Sequence, residues 1–131
     1  MARVAVEYLD TPALLRRMAN PPTVSEEGFH TGILNLFEAV HDLLLRGRDA
    51  EAGRVFDRLG LFAEPLTRMR IFEASRLRVK QKHRGLSYAD AAGYVTAREL
   101  GAVFVTTDRG FEGLPGVRLL RRTDAGSAVK R

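Results

Sequence analysis

Valine alternates with other residues through Arg3-Val-Ala-Val-Glu-Tyr-Leu9, the two-residue period of a strand, and this run ends at Asp10. A short helix is predicted from Pro12 to about Met18, because proline suits a helical first turn and Asn20-Pro21-Pro22 then breaks the segment. Thr23-Val24-Ser25 reads as a short strand or an extended connection. From Thr31 to Leu45, apolar residues at Ile33, Phe37, Val40 and Leu44 recur at three- and four-residue spacing and predict a buried helical stripe that stops at Gly47. A second helix is predicted from the N-cap Asp49 through Ala52, Val55, Phe56 and Leu59 to Gly60, so the two form a hairpin. Another begins at Pro65 and runs through Leu66, Met69 and Phe72 towards Arg84-Gly85, its distal half strongly basic.

The clearest signals come later in the chain. Ser87-Tyr88-Ala89-Asp90 opens a helix in the manner of a capping box, and that helix ends at Leu100-Gly101. Ala102-Val-Phe-Val-Thr106 follows as a continuous apolar strand, then Asp108, a turn at Arg109-Gly110, and a last short strand around Val117 to Leu120. Strands alternating with helices, some of them wholly apolar, predict an α/β fold with a central parallel sheet and right-handed crossovers. Sites in such folds lie beyond the carboxyl ends of the strands, and Asp10 and Asp108 both stand immediately after one.

Length and composition narrow the class. The 131 residues suit one domain, expected over 1–122, with a polar and flexible tail over 123–131, and 45% hydrophobic content is enough for a core without staples. With no cysteine there is no disulfide, thiolate metal site or thiol nucleophile, so metal chemistry must use oxygen ligands or histidine. The N-terminus lacks the features of a signal peptide and no apolar run is long enough to span a bilayer, so a cytoplasmic protein is expected. Of the 21 basic residues 18 are arginine, the better phosphate fork, and the pI is about 10.2. A basic balance of that size reads equally as a nucleic-acid footprint or as a solvated arginine-rich surface.

Two strand-end aspartates brought together without cationic partners repel, and a divalent cation is the simplest neutraliser. Hard ions such as Mg²⁺ or Mn²⁺ prefer carboxylate oxygens, and in an acid-lined cleft they polarise a phosphoryl oxygen and lower the pKa of bound water. The chemistry implied is phosphodiester hydrolysis.

The stretch Leu86-Ser-Tyr-Ala-Asp90 to Thr106-Thr-Asp108-Arg-Gly-Phe111, with its 18-residue aspartate spacing, its Ala-x-x-x-Gly helix end and its Thr-x-Asp-x-x-Phe turn, resembles the C-terminal half of a PIN domain. Tyr8-Leu-Asp10-Thr11 resembles that family's opening strand, and Leu34-Asn-Leu-Phe-Glu38 its glutamate-bearing helix. The resemblance spans about residues 5–120 and implies a three-layer α/β/α PIN-like domain. It implies a catalytic quartet of Asp10, Glu38, Asp90 and Asp108, with Asp10, Asp90 and Asp108 holding Mg²⁺ or Mn²⁺ and with Thr106 and Thr11 in support. It further implies a VapC-like toxin: an endoribonuclease, usually a homodimer, held inactive by an antitoxin that binds near the acidic groove.

Each residue also has a plainer reading. Asp90, three residues after Ser87, suits a helix cap, and Asp108 suits a turn. Glu38 flanks a buried stripe, where a solvated glutamate is ordinary, and Asp42 one turn on is the substitute ligand. His30, His41 and His83 have no metal-ligand spacing. The basic series Arg76, Arg78, Lys80, Lys82, His83 and Arg84 reads as a phosphate-binding face or a solvated helix end, with Arg109, Lys80, Lys82 and Arg84 the candidates for RNA contact. Tyr88 and Tyr94 suit base stacking or the core. Two rival functions stand beside the toxin: a non-catalytic PIN-like module binding RNA or protein, and an RNA-processing nuclease outside any toxin–antitoxin pair.

Overall fold

The structure, a computed structural model, describes residues 6–19 and 29–121. Residues 3–5 of the expected first strand, the segment 23–25 and the tail 123–131 lie outside the described residues. Along the chain come β1 (Glu7–Leu9), α1 (Thr11–Ala19), β2 (Phe29–His30), α2 (Ile33–Leu45), α3 (Asp49–Leu59), α4 (Arg68–Lys80), α5 (Tyr88–Leu100), β3 (Val103–Thr106) and β4 (Val117–Leu119), with 3₁₀ turns at Lys82–Arg84 and Arg109–Phe111.

The four described strands are all parallel and lie in the order β2-β1-β3-β4. Residues two apart on a strand share a face, so the register Tyr8↔Phe104 and Leu9↔Val105 divides the core in two. Leu9 and Val105 pack with Leu14 of α1, Leu36, Ala39 and Leu43 of α2 and Val55 of α3. Tyr8 and Phe104 pack on the opposite face with Tyr94 and Ala97 of α5 and with Leu86 and Phe111. Tyr8 stacks on Phe104 at 5.7 Å between ring centroids. Each large side chain so enclosed contributes roughly 1.5–3 kcal/mol. Helices therefore cover both faces, giving the expected α/β/α layering.

The chain order of the sheet has a consequence for function. β1 connects outward to β2 on one side, whereas the later strands lie on the other, so the order reverses between β1 and β3. Ligands of open α/β sheets bind outside the carboxyl ends of the strands at such a reversal. Asp10 follows β1 and Asp108 follows β3, so both acids stand at this position.

Three sequence expectations are corrected. The buried face of α2 is Asn35, Leu36, Ala39 and Leu43, whereas Ile33, Phe37 and Leu44 of the expected stripe are exposed, Phe37 by 69%. The helix is apolar on two sides, so spacing alone selects neither, and the side that packs with Leu9, Leu14, Val55 and Val105 is the one buried. Phe56 of α3 is likewise exposed beside buried Ala52, Val55 and Leu59. α4 begins at Arg68 rather than Pro65, because Thr67 caps it by accepting the Arg70 N–H at 3.1 Å. Its inner face is Ala74 and Arg70, while Met69 and Phe72 point outward. Arg70 is tied by Glu99 at 2.9 Å and Glu64 at 3.2 Å, which lets a guanidinium displace the apolar residues expected there.

Candidate active site

Asp10 lies 2% exposed at the end of β1 and turns the chain into α1, accepting the Ala13 N–H on Oδ1 at 3.0 Å. Its backbone N–H donates to Val105 O at 3.2 Å, which fixes the end of β1 against β3. Thr106, fully buried at the end of β3, stands between the two strand-end acids: its Oγ1 accepts the Asp108 N–H at 2.9 Å, and its hydroxyl favours the charged form of Asp10. Asp108 Oδ1 then accepts the Gly110 N–H at 2.8 Å and starts the 3₁₀ turn. Ser87 caps α5 by accepting the Asp90 N–H at 3.0 Å, which places Asp90 in the first helical turn, where its carboxyl group comes under the charge of Asp108. The capping and turn readings of Asp90 and Asp108 are thus both correct locally, and the fold brings the two side chains together as well.

Glu38 reaches this cluster from α2. Its Oε1 accepts from the Thr11 hydroxyl at 2.6 Å, Thr11 Oγ1 accepts from Asn35 Nδ2 at 3.2 Å, and Asn35 Oδ1 accepts from the Tyr8 hydroxyl at 2.5 Å. Tyr8 and Asn35 are each 1% exposed. Sequence reasoning missed both. A buried asparagine three residues before a glutamate is a signal, but it was hidden by placing the buried stripe on the wrong side of α2.

Burial raises the Asp10 carboxyl from its ordinary 3.8 to about 6; the Thr106 hydroxyl and the Ala13 N–H oppose the shift, and the charges of Asp108 and Glu38 add to it. Burial likewise holds Asp90 well above the usual carboxylate range, aided by the closeness of the Asp108 side chain and by the charges of Asp108 and Asp10. Such shifts mark acids that lack a compensating cation. The donor set is all oxygen, which suits a hard divalent ion. Among the described residues no three acids or histidines stand close enough to close around an ion as they are. Mg²⁺ needs no such cage, since it keeps several waters and takes one or two carboxylates.

Beside the acids lies a groove of about 740 Å³ between α1, α2 and the start of α5, lined by Leu15, Phe37, Glu38, His41 and Asp90 among others. Asp42 also lines it but is paired with Arg46 at 3.0 Å, so it is an occupied partner rather than a spare ligand. His30 lies in β2, 3.5 Å from Glu64, and His83 is exposed in the first 3₁₀ turn.

The basic series divides by role. Arg84 donates to Gly110 O at 2.9 Å and Glu112 O at 2.7 Å, so it fastens the turn behind Asp108 instead of facing solvent. Arg78 donates to Leu86 O at 2.9 Å and lies over the Tyr88 ring, and Arg76 lies over Phe72. Lys80, Lys82 and Arg109 are exposed. Tyr94 is core, with its hydroxyl on Pro115 O at 2.6 Å, whereas Tyr88 is 74% exposed beside the site.

No protein-family description matches the chain, and no curated protein does. Solved structures that share its fold include these two. One is PAE2754 from Pyrobaculum aerophilum, 26% identical, with 98% of this chain and 100% of that one covered and a TM-score of 0.67. The other is a toxin–antitoxin complex from Klebsiella pneumoniae, whose matching chain is 19% identical, with 86% of this chain and 95% of that one covered and a TM-score of 0.62.

Proposed function

We propose that this chain is a metal-dependent endoribonuclease of PIN type, the toxin of a toxin–antitoxin pair. The observation that supports the reading is that Asp10 and Asp108 follow two strands at the reversal point of a parallel sheet, that Asp108 and Glu38 lie near enough to Asp10, and Asp108 near enough to Asp90, to act on their carboxyls, and that Asp10 and Asp90 are both held above the ordinary carboxylate range. A bound Mg²⁺ or Mn²⁺ would polarise the scissile phosphoryl group and acidify a water there. Asp10, Asp90 and Asp108 would hold it, and Glu38 would complete the site. Thr106 stands between Asp10 and Asp108, and Thr11 orients Glu38. Because the acids repel RNA, exposed Lys80, Lys82 and Arg109 would supply the compensating field, with Tyr88 available for stacking.

The toxin assignment draws on the fold shared with the Klebsiella toxin–antitoxin complex. An antitoxin and a second copy of the chain are the partners this reading requires, and exposed Phe37, Leu44, Phe56 and Phe62 offer them apolar contacts. No helix among the described residues is long and apolar enough to cross a membrane; the role proposed would need a cytoplasmic setting.

The test is cleavage of a labelled structured RNA in Mn²⁺ or in EDTA, comparing wild type with Asp108→Asn. Cutting that needs metal and disappears in the variant is expected; cutting unaffected by the substitution removes the mechanism. A second reading, a PIN-like module that binds RNA or protein without cutting, is favoured by the absence of a closed ligand cage among the described residues. Well-folded wild type that binds RNA but cuts none of several substrates would select it.

A further inference from the structure

Tyr8 is a buried phenol that core packing alone does not call for. Phenylalanine would fill the same space against Phe104, Tyr94 and Ala97, and would leave no polar atom to satisfy. The surroundings instead make room for the hydroxyl. A Cβ at Gly32 would lie 2.3 Å from the Tyr8 oxygen, and one at Gly93 would lie 3.1 Å from its ring. Asn35 is the matching anomaly, an amide on the buried face of α2 beside Leu36 and Ala39.

Proton bookkeeping explains both. The Tyr8 hydroxyl donates to Asn35 Oδ1 at 2.5 Å, the oxygen of the amide having no proton to give. That leaves the Asn35 amide group as donor to Thr11 Oγ1. Thr11, already accepting, turns its own proton to Glu38. Every donor in the chain therefore points toward one carboxylate, and successive bonds of this kind polarise each other. Glu38 is exposed and would otherwise sample several rotamers.

We propose that Tyr8 and Asn35 are positioning residues for Glu38: with Thr11 they form a one-way hydrogen-bond relay that runs from the core to this carboxylate and holds it facing the other acids. The inference rests on the metal-dependent reading above. It assigns the relay to site geometry rather than to fold stability alone, and a double-mutant cycle separates these roles.

The measurements are Mn²⁺ affinity by calorimetry and RNA cleavage rate, on wild type, Tyr8→Phe, Glu38→Gln and the double variant, with melting temperatures as the check on folding. Tyr8→Phe is expected to weaken Mn²⁺ binding and lower kcat by about 10-fold, the usual effect of removing a group that orients a ligand, with KM for RNA little changed. In the Glu38→Gln background the same substitution should add almost nothing. Thr11→Val should behave as Tyr8→Phe does, and Thr11→Ser, which keeps the hydroxyl, should restore wild-type values. Equal losses from Tyr8→Phe in both backgrounds, or none in wild type, would overturn the relay. A wild type that neither binds Mn²⁺ nor cuts would overturn both readings together, whereas binding and cutting with additive substitutions would overturn this one alone.

Discussion

Asp90 and Asp108, 18 residues apart in the chain, stand so close in the fold that the charge of Asp108 helps to raise the Asp90 carboxyl. Burial and the neighbouring negative charge both favour the protonated form of Asp90. The buried acids of the site therefore make its stability depend on pH.

For Asp10 the sign is explicit. Its folded pKa, about 6, exceeds its ordinary 3.8, so the protonated form favours folding. That contribution is complete below about pH 4 and is lost as pH rises through about 6. Asp10→Asn keeps an acceptor for the Ala13 N–H and removes the buried charge, so in EDTA at pH 8 it should be the more stable protein by roughly 1–2 kcal/mol. The advantage should vanish near pH 4. Thermal melts at the two pH values check this, and an amide variant that melts lower than wild type at pH 8 would contradict it.

Removing either member of the central pair should end catalysis without ending the fold. Asp90→Asn and Asp108→Asn are expected to lower RNA cleavage on the order of 10²-fold or more, with unchanged far-ultraviolet circular dichroism. Both substitutions should also weaken Mn²⁺ binding, measured by calorimetry.

Gly32→Ala should be destabilising, because the new methyl lies 2.3 Å from the Tyr8 hydroxyl oxygen. Overpacking of this kind costs about 1–3 kcal/mol. The loss should shrink in a Tyr8→Phe background, where the obstructing oxygen is gone. A urea-denaturation cycle over the four proteins measures this, and an equal loss in both backgrounds would place the strain elsewhere.

Arg84 and the exposed lysines should fail differently. Arg84→Ala releases the carbonyls of Gly110 and Glu112 behind Asp108, so kcat and melting temperature should fall together while the salt dependence of RNA binding stays put. Lys80→Ala with Lys82→Ala should leave the melt intact, weaken RNA binding and reduce its salt slope by about 2 units at most. Binding to labelled RNA across a salt series separates the two cases.

The elements were legible where local chemistry alone decides them. Ser87 caps α5 and Gly101 ends it in the left-handed region at φ 70°, both readable from residue type. β3 was legible because only a buried strand tolerates Val103-Phe-Val105 in sequence. β2 was not, since two residues carry no period, and its partner β1 decides its place. The phase of α2 was hidden for a different reason. Its apolar residues occupy both sides, and only the contact with β1 and α1 chooses Leu36 over Phe37. Arg84 could not be told from a phosphate contact, because the carbonyls it holds are 26 and 28 residues away in the chain. The four acids were individually visible, yet what ties Glu38 to the rest runs through Tyr8 and Asn35, residues a pattern reading assigns to the core.

The buried carboxyl group at Asp10 has one further consequence, for how the gene can change. An aspartate codon becomes an asparagine codon by one base substitution, and at this position the amide keeps the helix cap while relieving the unfavourable charge. With Asp10 as a metal ligand, as proposed above, inactivation there lies downhill in folding stability. A population under pressure to silence this protein would then reach a sturdy, inert version in a single mutational step, without passing through misfolded intermediates.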